Sequence, residues 1–195
     1  MKTRAKLTAH LLCTFATLVI AGMFPATHAT AGAPRHAPAI RLPYSMRAYA
    51  IGDSVMLDAA GGLERDGVVV DAAVSRQFIQ GIVIAQWLRA SGRLPRTVLI
   101  GLGTNGPFTN GSFDAMMQAL RGVRRVVFVT VKEPRWWEEN VNSTLLAGVA
   151  RWPTARLADW HAISRDHPGW FWSDGIHLAP AGAAAYARLV AGALR

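Results

Sequence analysis

Tyr49-Ala50-Ile51-Gly52-Asp53-Ser54-Val55-Met56 is the stretch on which the reading of the fold turns. Residues 47–51 form a short, mostly apolar run that suits a buried strand. Gly52-Asp53-Ser54 interrupts it, and residues 55–63 have the small and apolar spacing of a helix start. A serine at a strand-to-helix turn sits at the carboxyl end of a sheet, where open α/β sheets bind their ligands. It also sits where unpaired helix N–H groups favour a developing negative charge. Alone, the tripeptide reads as a helix cap, because Asp and Ser are ordinary N-cap residues. Two later segments change that weighting: Gly103-Thr104-Asn105-Gly106 and Asp174-Gly175-Ile176-His177.

Outward from this stretch, apolar runs alternate with helical patterns. Strands are expected at 68–72, 97–101, 125–131 and 155–159, and helices at 78–88, 113–120 and 137–149. Pro180 opens a final Ala-rich helix at a tolerated first-turn position. This rhythm predicts a five-stranded parallel sheet covered by helices on both faces, a three-layer α/β/α sandwich in one domain. Ahead of it, Lys2, Arg4 and Lys6 precede an apolar run at 11–24 and small residues at 26–31. That pattern reads as a signal peptide over 1–31, cleaved after Ala29 or Ala31, with a flexible leader at 32–46 and the folded domain at 47–195. A periplasmic or secreted location follows.

Export changes the composition. Cys13 is the only cysteine, so the mature chain would have no disulfide, Cys nucleophile or thiolate metal site. Loss of Lys2, Arg4 and Lys6 lowers the basic count from 21 to 18 against 12 acids, and the formal charge from +9 to +6. The remaining positive charge is mostly scattered Arg with no polybasic block, which argues against nucleic-acid binding. It is compatible with attraction to anionic cell-envelope material.

Each chemistry-bearing segment also has a plain structural reading. Asn and Gly are common turn formers, so Gly103-Thr104-Asn105-Gly106 could be only a turn, although an Asn held there can aim its amide into a cleft. An Asp three residues before His177 can fold back onto Nδ1–H and leave Nε2 free to take a proton from a hydroxyl. A surface loop is the alternative. Competing chemistries fit less well. A phosphatase using Asp53 as nucleophile would want a second acid where Val55 stands. A Ser-Lys hydrolase would need Lys132, the only mature lysine. No His-Glu-x-x-His helix or dense ligand cluster suggests a metal site.

Together the three segments are more specific. The chain resembles the SGNH, or GDSL-type, hydrolase superfamily over nearly all of 47–195. Within it the chain is most similar to the extracytoplasmic SGNH domains of peptidoglycan and lipopolysaccharide O-acetyltransferases. Val74-Ser75-Arg76-Gln77 and Val131-Lys132-Glu133-Pro134-Arg135, with Trp136-Trp137 and Asn142, share that subgroup's character. The resemblance implies a flavodoxin-like fold and a triad of Ser54 as nucleophile, His177 as base and Asp174 as its orienting acid. It implies an oxyanion hole from the N–H groups of Ser54 and Ser75 and the Asn105 amide, with Ser75 standing where many relatives have Gly. Asp53 is read as a cap. Arg76, Arg135 and Trp136 are assigned to the substrate, although tryptophans here and at Trp170-Phe171-Trp172 could equally pack under loops. No metal or organic cofactor is implied. The implied activity is O-acyl, chiefly O-acetyl, ester hydrolysis or acyl transfer on envelope carbohydrate by a monomer. A membrane acyltransferase is the implied acyl source, and residues 1–46 do not resemble one. A non-catalytic glycan-binding relative is the alternative, and the presence of Ser54, Asn105, Asp174 and His177 together weighs against it.

Overall fold

A computed structural model describes residues 47–194. The expected signal peptide and leader lie outside the described residues. Five strands form one parallel sheet: β1 (Ala48–Gly52), β2 (Val68–Ala72), β3 (Thr97–Gly101), β4 (Arg125–Val129) and β5 (Ala155–Ala158), in the order β2-β1-β3-β4-β5. The helices are α1 (Ser54–Asp58), α2 (Ala60–Arg65), α3 (Phe78–Ala90), α4 (Asn110–Ala119), α5 (Glu138–Arg151), α6 (Trp160–Ser164) and α7 (Pro180–Ala193). Among the described residues no helix is long and apolar enough to cross a membrane.

The strands divide their side chains between two cores, as a period of two requires. Ile51, Val98, Ile100, Val126 and Phe128 face a layer built from α3, α4 and α5, centred on Phe78, Phe113 and Met116. Ala50, Leu99, Val127 and Val129 face the other layer, with Met56, Leu63, Trp160, Tyr186 and Val190. Both strand faces are therefore buried, which is why these segments read as continuous apolar runs and not as alternating ones.

The expected elements shift only at their ends. The first strand runs one residue later than 47–51, and the fourth stops at Val129 and not at 131. The helix after Ser54 is not continuous: it breaks at Ala59, whose N–H closes onto Met56 O (3.1 Å). α6, with five residues, and a single 3₁₀ turn at Pro168–Trp170 were not anticipated. Both are too short to show a helical period.

Register sets where the site lies. Gly52 pairs with Ala72 on one side and Gly101 on the other, so the turns after β1, β2 and β3 leave one edge together. β1 is the strand at which the connections change direction across the sheet, the crevice position for ligands in such folds. Gly52 is spatially constrained as well: a Cβ there would lie 2.4 Å from Met56 Sδ and 2.5 Å from Met56 Cβ. Gly52→Ala should therefore push α1 off the sheet, costing about 1–3 kcal/mol by overpacking. Thermal unfolding should show a lowered Tm, together with reduced activity from a displaced Ser54.

Candidate active site

Ser54 is the first residue of α1 and is 7% exposed. Asp53 precedes it with extended backbone, and its Oδ1 accepts from Val55 N–H (3.1 Å), the N-cap geometry expected of Asp. Asp53 N–H donates to Gly101 O (3.1 Å), which ties the cap to the end of β3. Asp53 is 1% exposed, and burial pushes its carboxyl up to about 6, against the opposing backbone donor of Val55 and the donors of Thr104.

His177 arrives from the opposite end of the chain. Its Nδ1 lies 2.7 Å from Asp174 Oδ2 and its Nε2 lies 3.0 Å from Ser54 Oγ. Asp174 is held well below the usual carboxylate range, at about 2, first by the His177 hydrogen bond and then by Ile176 N–H. An ionised carboxylate only accepts, so Nδ1 carries the proton, and Nε2 is the acceptor for the serine hydroxyl. Asp174 Oδ1 also takes the N–H groups of Ile176 (2.9 Å) and His177 (3.0 Å), a turn made possible by Gly175 at φ +69°.

One residue that holds this loop was not found from sequence. Asp58, one helical turn after Ser54, accepts Leu178 N–H at Oδ2 (2.8 Å). Helix α1 thus carries the nucleophile at one end and grips the histidine loop at the other. The i, i+4 spacing of Ser54 and Asp58 was visible, but nothing marked Leu178 as its partner. Trp172 N–H to His177 O (2.8 Å) and Ala179 N–H to Trp170 O (2.9 Å) fix the same loop from behind.

The remaining residues separate into those that meet the cleft and those that do not. A cleft of about 290 Å³ is lined by Ser54, Val74, Ser75, Thr104, Asn105, Arg135, Trp137, Ile176 and His177. Asn105 Nδ2 donates one N–H to Arg76 O (3.3 Å), which orients the amide beside Ser54. Ser75 holds φ +59°, a left-handed conformation uncommon for a non-glycine residue. Arg135 lines the cleft.

Arg76 does not. Its guanidinium is turned inward to Asp71 Oδ1 (2.7 Å), Asp71 O and Gly52 O (3.2 Å), with 13% of the side chain exposed. Asp71 also accepts from Tyr49 Oη (3.0 Å). Arg76 ties the ends of β1 and β2 together and is spent as a strut, so its assignment to substrate is corrected. Trp136 is also displaced: it is 80% exposed and packs edge-on against Trp137 (5.4 Å between centroids), and Trp137 is the one that lines the cleft. Trp170 and Phe171 pack around Trp160, at 5.7 Å and 5.9 Å, so they are core and not a sugar wall. A separate groove of about 320 Å³, near Glu138, Asn142, Leu146 and His161, contains no part of the triad.

No protein-family model matches the chain. It is 35% identical over 148 residues to YrhL of Bacillus subtilis strain 168, named for peptidoglycan O-acetyl transfer, covering 75% of this chain and 23% of that protein. It is 32% identical over 143 residues to the peptidoglycan O-acetyltransferase OatA of Listeria monocytogenes, covering 72% of this chain and 23% of the relative. The chain thus spans 23% of the length of these relatives. Among solved structures it matches the C-terminal catalytic domain of Streptococcus pneumoniae OatA with a methylsulfonyl adduct. That match has 26% identity and a TM-score of 0.69 and covers 77% of this chain and 93% of the other. A family 3 carbohydrate esterase of Talaromyces cellulolyticus shares the fold, with 20% identity, a TM-score of 0.60 and coverage of 75% and 95%.

Two outcomes check the geometry. Asp58→Ala should leave the fold intact and lower kcat about tenfold by freeing the His177 loop, since misplacement of a catalytic group by an ångström can cost up to about 100-fold; steady-state kinetics beside circular dichroism would show it. For Asp53 the sign follows from its raised pKa. Between its ordinary value near 4 and about 6 the folded state binds the extra proton, so stability falls as pH rises through that window. Asp53→Asn keeps the cap and removes the charge. Urea unfolding from pH 4 to pH 7 should therefore show a shallower decline for the variant, with activity within about tenfold of wild type as befits a cap.

Proposed function

We propose, from the chain's place in the SGNH/GDSL-type hydrolase superfamily, that it performs O-acyl, chiefly O-acetyl, ester chemistry on cell-envelope carbohydrate through an acyl-enzyme on Ser54. The observation that carries this reading is the continuous hydrogen-bonded line from Asp174 through His177 to Ser54, closed at 2.7 Å and 3.0 Å. His177 Nε2 takes the Ser54 proton as Oγ attacks the ester carbonyl. The oxyanion is held by the N–H groups of Ser54 and Ser75 and by Asn105 Nδ2, three residues that line the cleft. The tetrahedral intermediate collapses, the alcohol leaves with the proton from His177, and the acyl group stays on Oγ. A second hydroxyl, from water or a sugar, is then deprotonated by His177 and takes the acyl group, restoring Ser54.

The relatives named for peptidoglycan O-acetyl transfer favour a sugar hydroxyl over water in the second half-reaction. Arg135 and Trp137 suit a polar, ring-shaped substrate at the cleft, one as a cation and the other as a flat apolar face. We further propose that residues 47–195 act as an exported, monomeric catalytic domain in the periplasm or outside the cell, after removal of residues 1–31. A membrane acyltransferase supplies its acyl groups.

The test uses residues 32–195 with p-nitrophenyl acetate, with and without a soluble chitooligosaccharide acceptor, following acetate and acetylated sugar by mass. Acetylated sugar formed at the expense of acetate identifies a transferase, and acetate unchanged by acceptor identifies an esterase. Ser54→Ala and His177→Ala should each abolish turnover, and Asp174→Asn should lower it by up to about 10⁴-fold. Ser54-independent turnover would overturn the acyl-enzyme, and no turnover of any ester would leave a glycan-binding protein.

A further inference from the structure

Helix α3 is apolar on both sides. Phe78, Gly81, Ile82, Ala85 and Leu88 are buried, and no charged residue interrupts the helix before Arg89. A surface helix ordinarily turns polar residues outward. This one turns out Ile79, Val83 and Trp87, each more than half exposed, with the uncharged Gln80 and Gln86 at their side. The three stand four residues apart, so they are neighbours in one row along the helix. Apolar residues exposed singly are ordinary, and Leu57, Leu146 and Ile163 are such cases on α1, α5 and α6. A row of three on one helix marks a surface that takes a partner.

The far end of the row is basic. The Arg93 guanidinium lies over the Trp87 ring, 5.1 Å from its centroid. Arg89 donates to Gln118 O (3.0 Å) and Arg121 O (3.2 Å), which holds the turn after α4, with Arg121 and Arg124, against the end of α3. Arg96 O accepts Arg124 N–H (3.0 Å), so Arg96 joins the same cluster. Among the described residues none of these five arginines forms an ion pair, and Arg96 and Arg124 are exposed with no side-chain hydrogen bond. Between Asp71 and Glu133 the sequence has one acid, Asp114, and its partner is Arg151 (3.0 Å). The near end of the row reaches the candidate active site. Ile79 and Asn105 line one hollow of about 270 Å³, and Asn105 also lines the cleft with Ser54.

We propose that α3 and the arginines at its end are a docking surface for an anionic lipid bilayer. Ile79, Val83 and Trp87 enter the boundary between headgroups and acyl chains, and Arg93, Arg96, Arg121 and Arg124 meet lipid phosphates. Charge and apolar surface together select that occupant. A soluble polyanion would use the arginines and leave the apolar row in water, whereas a bilayer interface takes both, tryptophan in particular. A second copy of the chain would cover the row and bring two unneutralised arginine clusters into one interface. The docking does not depend on the reading of Ser54. Its consequence does: the row runs up to Asn105, so docking holds the cleft beside the bilayer, the side from which acyl groups arrive in that reading.

The experiment sediments residues 32–195, which contain the whole described fold without the apolar run at 11–24, with vesicles of mixed phosphatidylglycerol and phosphatidylcholine or of phosphatidylcholine alone. Wild type should bind the mixed vesicles far more tightly than the neutral ones and should lose that binding as salt is raised. Arg96→Gln combined with Arg124→Gln should weaken binding about 25-fold, at roughly fivefold per arginine. Ile79→Ser combined with Val83→Ser should weaken it at least roughly tenfold. Binding should move tryptophan emission to the blue, and Trp87→Phe should diminish that shift. Failure to bind anionic vesicles, equal binding to both kinds, or wild-type binding by either double variant overturns the proposal. So does binding of soluble polyphosphate as tight as that of the vesicles, or a dimer in solution that the Ile79 and Val83 substitutions split. Should those two substitutions unfold the protein by circular dichroism, the exposed arginine pair and Trp87→Phe decide, and an undiminished shift in Trp87→Phe overturns the proposal. Absence of Ser54-dependent turnover would remove the functional reading alone, because binding is read without a reaction.

Discussion

The parallel pairing of Gly52 with Ala72 and Gly101 is the constraint on which the rest of the site depends. It brings three turns to one edge of the sheet, and with them Ser54, Ser75 and Asn105. The turns after β2 and β3 use an uncommon left-handed or positive-φ backbone, whereas Asp53 after β1 is extended. Ser75 adopts φ +59°, and Gly103 and Gly106 adopt +133° and +131°. Gly103 is required by space as well as by conformation, because a Cβ there would lie 2.7 Å from Val141 Cγ1. Arg76 holds the ends of the first two strands while its own carbonyl orients Asn105, so one residue couples sheet register to the candidate oxyanion donor.

The histidine reaches this edge across a separation of 123 residues, and such a contact needs more than one hydrogen bond to hold a position. Asp58 supplies a second tether from the helix that carries the nucleophile. The 3₁₀ turn and the Phe171–Leu178 bridge supply a third, backed by the packing of Trp160, Trp170 and Tyr186. Asp174 and His177 remain nearly half exposed, which lets substrate approach Nε2 and keeps the carboxylate hydrated and ionised. The orienting acid works here through geometry and tight hydrogen bonding more than through a dry surrounding.

Short apolar strands were the most legible elements. Val68–Ala72 and Thr97–Gly101 have the ends read from the sequence, because an apolar run bounded by polar or Gly residues has only one way to sit in a sheet. Pairings of the type Asp-x-x-His were legible because the contact is local. What was not legible depended on which way a long side chain turns. Arg76 and Arg135 look alike in sequence, yet Asp71 waits behind one and none of the described carboxylates forms an ion pair with the other. Trp136 and Trp137 differ by one position, and the start of α5 decides which of them faces inward. Asp58 acts through a tertiary neighbour, Leu178, that no spacing rule reveals.

Two buried carboxyls, Asp53 and Glu133, run against the usual rule for interiors, where charged groups are exposed or paired. Asp53 satisfies half of the rule: one oxygen caps α1, while the other meets no donor at full hydrogen-bond geometry among the described residues, although Thr104 lies close enough to favour its anion. Glu133 satisfies none of it. Asp53 adds to the cost of ionising Glu133, for which burial is the larger cause. Local rules are broken most often where a protein binds or reacts, and here both exceptions lie against the segments that carry Ser54 and Arg135. The stability lost to these two buried acids is confined to the edge of the sheet, while the two apolar cores on its faces remain free of charge.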